Sequence, residues 1–192
     1  MAALADADGA LVSESCWGGT HTERGRGLDL TSDGGYVVTG HTRSTNGHVS
    51  GLIGGMDFWV VKVDSTGSLQ WEKCLGGTNW EQAESIQRTP DGGYIVAGYT
   101  NSNDVQVSGH HGANDMWVVK LDEDGELQWQ QTLGGTAHDE ALAIDQTSDG
   151  GYVAVGFSLS NNGDVSGNHG DADVWVVKLA GSGTTGITKP TT

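Results

Sequence analysis

The chain has 192 residues and a formal charge of −16 at pH 7, which argues against nucleic acid or an acidic membrane surface as a partner, since both are held through Lys and Arg. Thirty-two glycines beside two prolines point to many tight turns, because the glycines recur at fixed places between apolar runs. No stretch approaches the roughly 20 apolar residues that cross a bilayer, and the opening MAALADADGA has neither the basic nor the apolar region of a signal peptide, so an exported native protein would have had its leader removed or replaced.

In chain order, residues 4–16 align with 62–74, so the chain opens on the tail of a repeat, with a closing strand expected over Leu11 to Ser15. Trp59, Trp117 and Trp175 stand 58 residues apart, as do Asp33, Asp91 and Asp149, each of which opens Asp-Gly-Gly-Tyr. A fixed period of this size marks a repeat architecture. The units run 17–74, 75–132 and 133–180. Four strands are expected in each and are clearest in the second: a at 82–89, b at 93–100, c at 115–122 and d at 126–133. The turn Pro90-Asp91-Gly92 joins a to b, and Asp122 to Gly125 join c to d. The third unit stops after strand c, and residues 181–192 lose the period and read as a small, polar, Thr-rich tail.

Strands b and c are apolar on both sides, as Tyr94-Ile95-Val96-Ala97 and Met116-Trp117-Val118-Val119 show. Such strands need cover on both faces of their sheet, and one unit of this size cannot supply it, so neighbouring units must. The expected fold is all-β, a β-propeller with three four-stranded blades per chain. Propellers typically close with about four to eight blades, so three leave an open wedge. The economical closure is a homodimer: two chains arranged head to tail exchange their N-terminal d strands and complete a six-bladed ring. A longer native array, of which this chain is a fragment, is the alternative.

The stretch TSDGGYVAVGFSLSNNGDVSGNHGDADVWVVKL at 147–179 resembles the delta-60-like repeats of large secreted and surface proteins of bacteria and some archaea. All three units share the Asp-Gly-Gly-Tyr turn, the Val-Ser-Gly loop and the Trp-Val-Val-Lys strand that carry the resemblance. It implies an extracellular or cell-surface, non-catalytic propeller, and it brings no ligand or catalytic residues.

Strand direction puts the d-to-a and b-to-c loops on one face. That face is the candidate binding surface. Its ligand candidates are Trp17, His21, Glu23, Trp80, Glu81, His110, His111, His138, Asp139 and His169, a mix of aromatics and carboxylates suited to a glycan or peptide. The plainer reading gives the recurrent acids Asp57, Asp115, Asp173 and Glu23, Glu81, Asp139 to capping of loop amides. No cofactor is expected; calcium is the alternative, held in the third unit by Asp164, Asp171 and Asp173 among many oxygen donors. Cys16 and Cys74 are equivalent positions in successive units, too far apart for a bridge, and are expected as small core fillers. Absence of a nucleophile elbow, P-loop or zinc-protease helix argues against an enzyme. The leading expectation is a self-associating scaffold, and the alternative is a lectin-like module.

Overall fold

The computed structural model describes the backbone of residues 2–5 and 8–181 and, apart from residues 2–5 and 12, their side chains. The expected tail falls outside the described residues beyond Gly181. Every element among the described residues is a β-strand. A short hairpin pairs β1 (Ala2–Ala5) with β2 (Leu11–Ser15). Sheet I follows in the order β3 (Glu23–Leu30), β4 (Tyr36–Thr42), β5 (Asp57–Val63) and β6 (Leu69–Leu75). Sheet II comprises β7 (Glu81–Arg88), β8 (Tyr94–Thr100), β9 (Asp115–Leu121) and β10 (Leu127–Leu133). Sheet III has β11 (Asp139–Gln146), β12 (Tyr152–Ser158) and β13 (Asp173–Leu179). All pairings within these sheets are antiparallel, and the strand bounds lie within a residue of the sequence expectation.

The shared Asp-Gly-Gly-Tyr and Trp-Val-Val-Lys motifs have one local cause. Asp33 accepts hydrogen bonds from Thr31 Oγ1 and the Gly35 amide and turns its other oxygen to Lys62 Nζ at 2.7 Å. Asp91 and Asp149 repeat this with Lys120 and Lys178. The glycine after each acid adopts a positive φ, +82° at Gly34, +89° at Gly92 and +80° at Gly150, where a side chain would be strained. Each first strand of a sheet also carries a bulge, between Gly25 and Gly27, Ala83 and Ser85, and Ala141 and Ala143. A bulge bends the strand and sharpens its twist.

The sheets stack face to face. Val37, Phe58, Val60 and Leu75 of sheet I meet Ile86, Val96, Trp117 and Val119 of sheet II, with the Phe58 and Trp117 rings 4.6 Å apart. The other face of sheet II sends Ile95, Met116, Val118 and Leu133 against Ile144, Tyr152, Ala154 and Leu179 of sheet III. Sheet II is therefore covered on both sides, and all seven residues of β9 are buried. This is the physical reason its strands are apolar throughout. First strands adjoin across the stack: Gly27 lies so close to the Glu84–Ile86 backbone that a Cβ would come within 3.0 Å of it.

Sheet III is covered on one side only, and sheet I is partly covered on its outer side, where Trp59, Val61 and Val63 are buried beside Trp17 and Tyr36. On sheet III, Val174 and Val176 are 78% and 59% exposed, whereas their equivalents in sheet II, Met116 and Val118, are fully buried. On the opposite flank, Leu28 of sheet I is 66% exposed where its equivalent Ile86 is 1% exposed. Leu11–Ser15, expected as a closing strand, is a strand, and its partner within this chain is Ala2–Ala5. One sequence expectation needs correction. Cys16, expected in the core, is exposed, because it lies past the last β1–β2 pair at Ser15, whereas Cys74 lies within β6 opposite Trp59 and is half-buried beside Trp59 and Val61.

Candidate functional site: the loop face and the two open flanks

The loop face is built from tight contacts between d-to-a and b-to-c loops. Gly76 and Gly134 have no room for a Cβ because carboxylates fold beneath them: Glu81 and Asp57 under the first, Asp115 and Asp139 under the second. Glu81 accepts from the Gly77 amide at 2.9 Å and from Thr100 Oγ1 at 2.7 Å. Asp139 accepts from the Gly135 amide at 2.7 Å, and Glu23 from the Gly19 amide at 3.0 Å. Asp57, Asp115 and Asp173 accept from the amides of Ile53, His111 and His169. Both columns of acids are thus occupied with loop amides, the plainer of the two sequence readings.

Burial separates these carboxylates energetically. Asp57 is pushed up to about 6 by burial and by the nearby Glu81, against the amides of Ile53 and Gly54 that lower it. Burial likewise raises Glu81 and Asp115. Their third-pair equivalents stand at the open flanks and behave differently. Asp173 is lowered by hydrogen bonds from the His169 amide and side chain. Glu23 feels some burial, but bonds from Ser44, Gly19 and Thr42 outweigh it and leave it lowered. Asp115 Oδ1 and His110 Nε2 are buried without a hydrogen-bond partner, and His41 is driven down to about 4 by burial and by Arg26, Arg24 and Arg43.

The expected ligand residues do not converge on one pocket. Glu81 and Asp139 are fully buried, so no ligand reaches them. His21 is exposed, with its amide on Ser44 Oγ. Trp80, 49% exposed, lies under the Arg43 guanidinium at 5.6 Å. His138 is enclosed by Tyr99 and Phe157, with Nε2 3.1 Å from Glu140 and Nδ1 facing Asn114. His111 and His169 each turn Nδ1 onto the aspartate four residues on. Of the proposed calcium set, Asp164 accepts from the Gly134 amide and Asp173 from His169, and the Asp171 carbonyl accepts from Asn168. Among the described residues no group of three or more His, Cys, Asp or Glu is arranged to hold a metal.

A hollow lies on each outer flank. A cavity of about 220 Å³ on sheet I is lined by Trp17, Glu23, Arg24, Val38, Trp59 and Val61 among others. A second, of about 320 Å³, lies along β13 between Val165, Ser166, Asn168, His169, Val174 and Trp175. In sheets I and II the place matching the second hollow is filled by the fourth strand. Glu72 of β6 accepts the Trp59 indole N–H at 2.7 Å and bonds of 3.1 and 2.5 Å from the Ser50 amide and hydroxyl. Gln130 of β10 accepts from Trp117 Nε1 at 2.7 Å and donates to Ser108 Oγ at 2.7 Å. Glu72 and Gln130 are not among the candidates that the sequence singles out; their 58-residue spacing, with Glu14 as the first member of the column, is the signal that marks them.

No family model matches the chain. The regulatory protein FlaEY of Caulobacter vibrioides is 29% identical over 117 residues, a match that covers 57% of this chain and 12% of that protein. The chain thus spans about an eighth of the length of this curated relative.

Proposed function

We propose that this chain is a non-catalytic, self-associating scaffold of the extracellular space or cell surface, whose three sheets are blades closed into a six-bladed β-propeller by a second copy. The observation that carries this reading is the match between the two open flanks. Val153, Val155, Val174 and Val176 on sheet III stand at the positions of Ile95, Ala97, Met116 and Val118 on sheet II, one half of the internal interface. Leu28, Tyr36, Val38, Trp59 and Val61 on sheet I stand at the positions of Ile86, Tyr94, Val96, Trp117 and Val119, the half that meets such a face. A chain that already packs these two surfaces together twice internally carries a further copy of each, exposed at Val174 and Val176 on sheet III and at Leu28 on sheet I, where Trp59 and Val61 are already sheltered beside Trp17. Its ends are therefore complementary head to tail, and a twofold arrangement satisfies both at once.

The loop-face acids favour a scaffold over a ligand-binding module, because they are buried and bonded to backbone amides. Sedimentation equilibrium tests the proposal. The expected particle has twice the chain mass of 20.0 kDa, and a folded monomer at all accessible concentrations refutes it. A glycan array run with and without calcium separates this reading from the lectin-like one, which requires reproducible binding.

A further inference from the structure

We propose that the second copy supplies a specific strand: its β2 leaves β1 and becomes the fourth strand of sheet III, where Glu14 takes the Trp175 indole N–H and Ser166. This inference rests on the self-association proposed above and names the element that is exchanged and the residue that fixes its register.

Equivalence of position is the first ground. Glu14, Glu72 and Gln130 occupy one column of the repeat, as do Trp59, Trp117 and Trp175, and Ser50, Ser108 and Ser166. In sheets I and II the fourth-strand acceptor bonds both the indole and the serine of its own sheet. Among the described residues Trp175 Nε1 and Ser166 have no such partner, and the hollow beside them has the place of the missing strand. A carboxylate in that place would give the indole N–H the charge-assisted bond that Glu72 gives Trp59.

Pairing register is the second ground. β1 meets β2 with Ala2 opposite Ser15, Ala3 opposite Glu14, Leu4 opposite Ser13 and Ala5 opposite Leu11. Shifted by one repeat, these are the β5–β6 pairs Val60 with Lys73, Val61 with Glu72, Lys62 with Trp71 and Val63 with Leu69. The hairpin thus repeats the third-to-fourth strand pairing, with β1 standing where Val176 to Leu179 of β13 would stand. It is a shorter and weaker occupant. β1 offers four pairs where β5 offers six, and it presents Ala-Ala where β13 presents Val-Val, the better strand formers. The exposed Val174 and Val176 are covered by the facing sheet I of the second copy, as Met116 and Val118 are by sheet III.

Connectivity makes the exchange intermolecular. β2 leads into β3 by a loop matching the one from β6 to β7, so β2 belongs at the outer edge of whatever sheet packs on the open side of sheet I. Within one chain sheet III is on the far side of sheet II. Only the sheet III of another copy can present its β13 there.

The test combines a cross-link with a binding measurement. By the β5–β6 register, position 15 of one copy faces position 176 of the other, close enough for a disulfide. The variant S15C/V176C, with Cys16 and Cys74 changed to Thr as at position 132, is expected to give a covalent dimer on oxidation, whereas S15C alone and V176C alone mixed in equal amounts give heterodimers bearing one bridge. In the native background Glu14→Ala is expected to raise the dimer dissociation constant at least about tenfold, the scale of one charge-assisted hydrogen bond. Glu14→Gln restores most of it, as Gln130 does in sheet II, and removal of residues 1–5 tightens the dimer. A dimer that forms no cross-link, or one indifferent to Glu14→Ala, overturns the strand exchange and leaves ring closure standing. A monomer at every concentration overturns both.

Discussion

Replacing Trp117 with Ala tests the stacking on which the molecule depends. Trp117 heads the largest fully buried side chains, its ring lies 4.6 Å from Phe58 across the sheet I–sheet II interface, and its indole N–H reaches Gln130 at 2.7 Å. Truncation of a buried Trp costs about 3–5 kcal/mol through lost transfer energy and the cavity left behind. The stranded Gln130 oxygen adds less than about 1 kcal/mol, because it is half-exposed and water replaces the donor. With a urea slope of about 2–3 kcal/mol per M, the unfolding midpoint should fall by roughly 1–2.5 M, read by far-ultraviolet circular dichroism. The internal control is Trp175→Ala, the same repeat position on an open flank. In solution dilute enough for single chains it should cost less than about 2 kcal/mol, since the ring is only partly covered. Equal shifts for the two variants in dilute solution, or a shift below about 0.5 M for Trp117→Ala, would refute the assignment of Trp117 to a closed interface and Trp175 to an open one.

The turn-to-strand ion pairs should rank by burial. Lys120 is 2% exposed and depends on Asp91, so Asp91→Ala should cost about 2–4 kcal/mol by leaving a buried cation without its carboxylate; Asp149→Ala, whose partner Lys178 is exposed, should lose little beyond the turn, and thermal melts of both variants check the order. Gly134→Ala places a Cβ 2.7 Å from both Asp115 and Asp139 and should lower the melting temperature by several degrees, an effect of about 1–3 kcal/mol. Gly170→Ala meets nothing within 4 Å and should be neutral in the same assay. Stability should also peak in mildly acidic solution. Asp57, raised from 3.8 to about 6, is more readily protonated in the fold than in the unfolded chain, so its contribution is present below the unfolded value and is lost as pH rises through the folded one. Asp91, lowered beside Lys120, works the other way, and its contribution disappears as pH falls below the ordinary aspartate value. Melting temperatures from pH 3 to 8 should therefore show a maximum between these limits, and Asp57→Asn should flatten the decline above it.

Strand limits, the 58-residue unit and the paired turn acids were legible because each is a local or short-range consequence of residue type. Asp-Gly-Gly specifies a positive-φ turn, and a two-sided apolar strand such as β9 specifies cover on both faces. The candidate site was less legible. Trp80, His138 and Glu81 look alike as polar residues of adjoining loops, yet Trp80 is half-exposed and Glu81 fully buried. That distinction depends on which loop folds beneath which glycine. The column shared by Cys16 and Cys74 does not fix their burial, because Cys74 has β5 beside it and Cys16 lies past the end of the β1–β2 pairing.

By itself, the order of residues determined the repeat, the strands and the chemistry of each turn, since these depend on contacts a few residues long and on a pattern that recurs. Tertiary structure alone decided which copies of that pattern are covered and which stand open, and that β1 pairs with β2 in the register that β5 uses with β6. The reason is that burial belongs to pairs of sheets, and identical motifs acquire different environments according to their place in the stack.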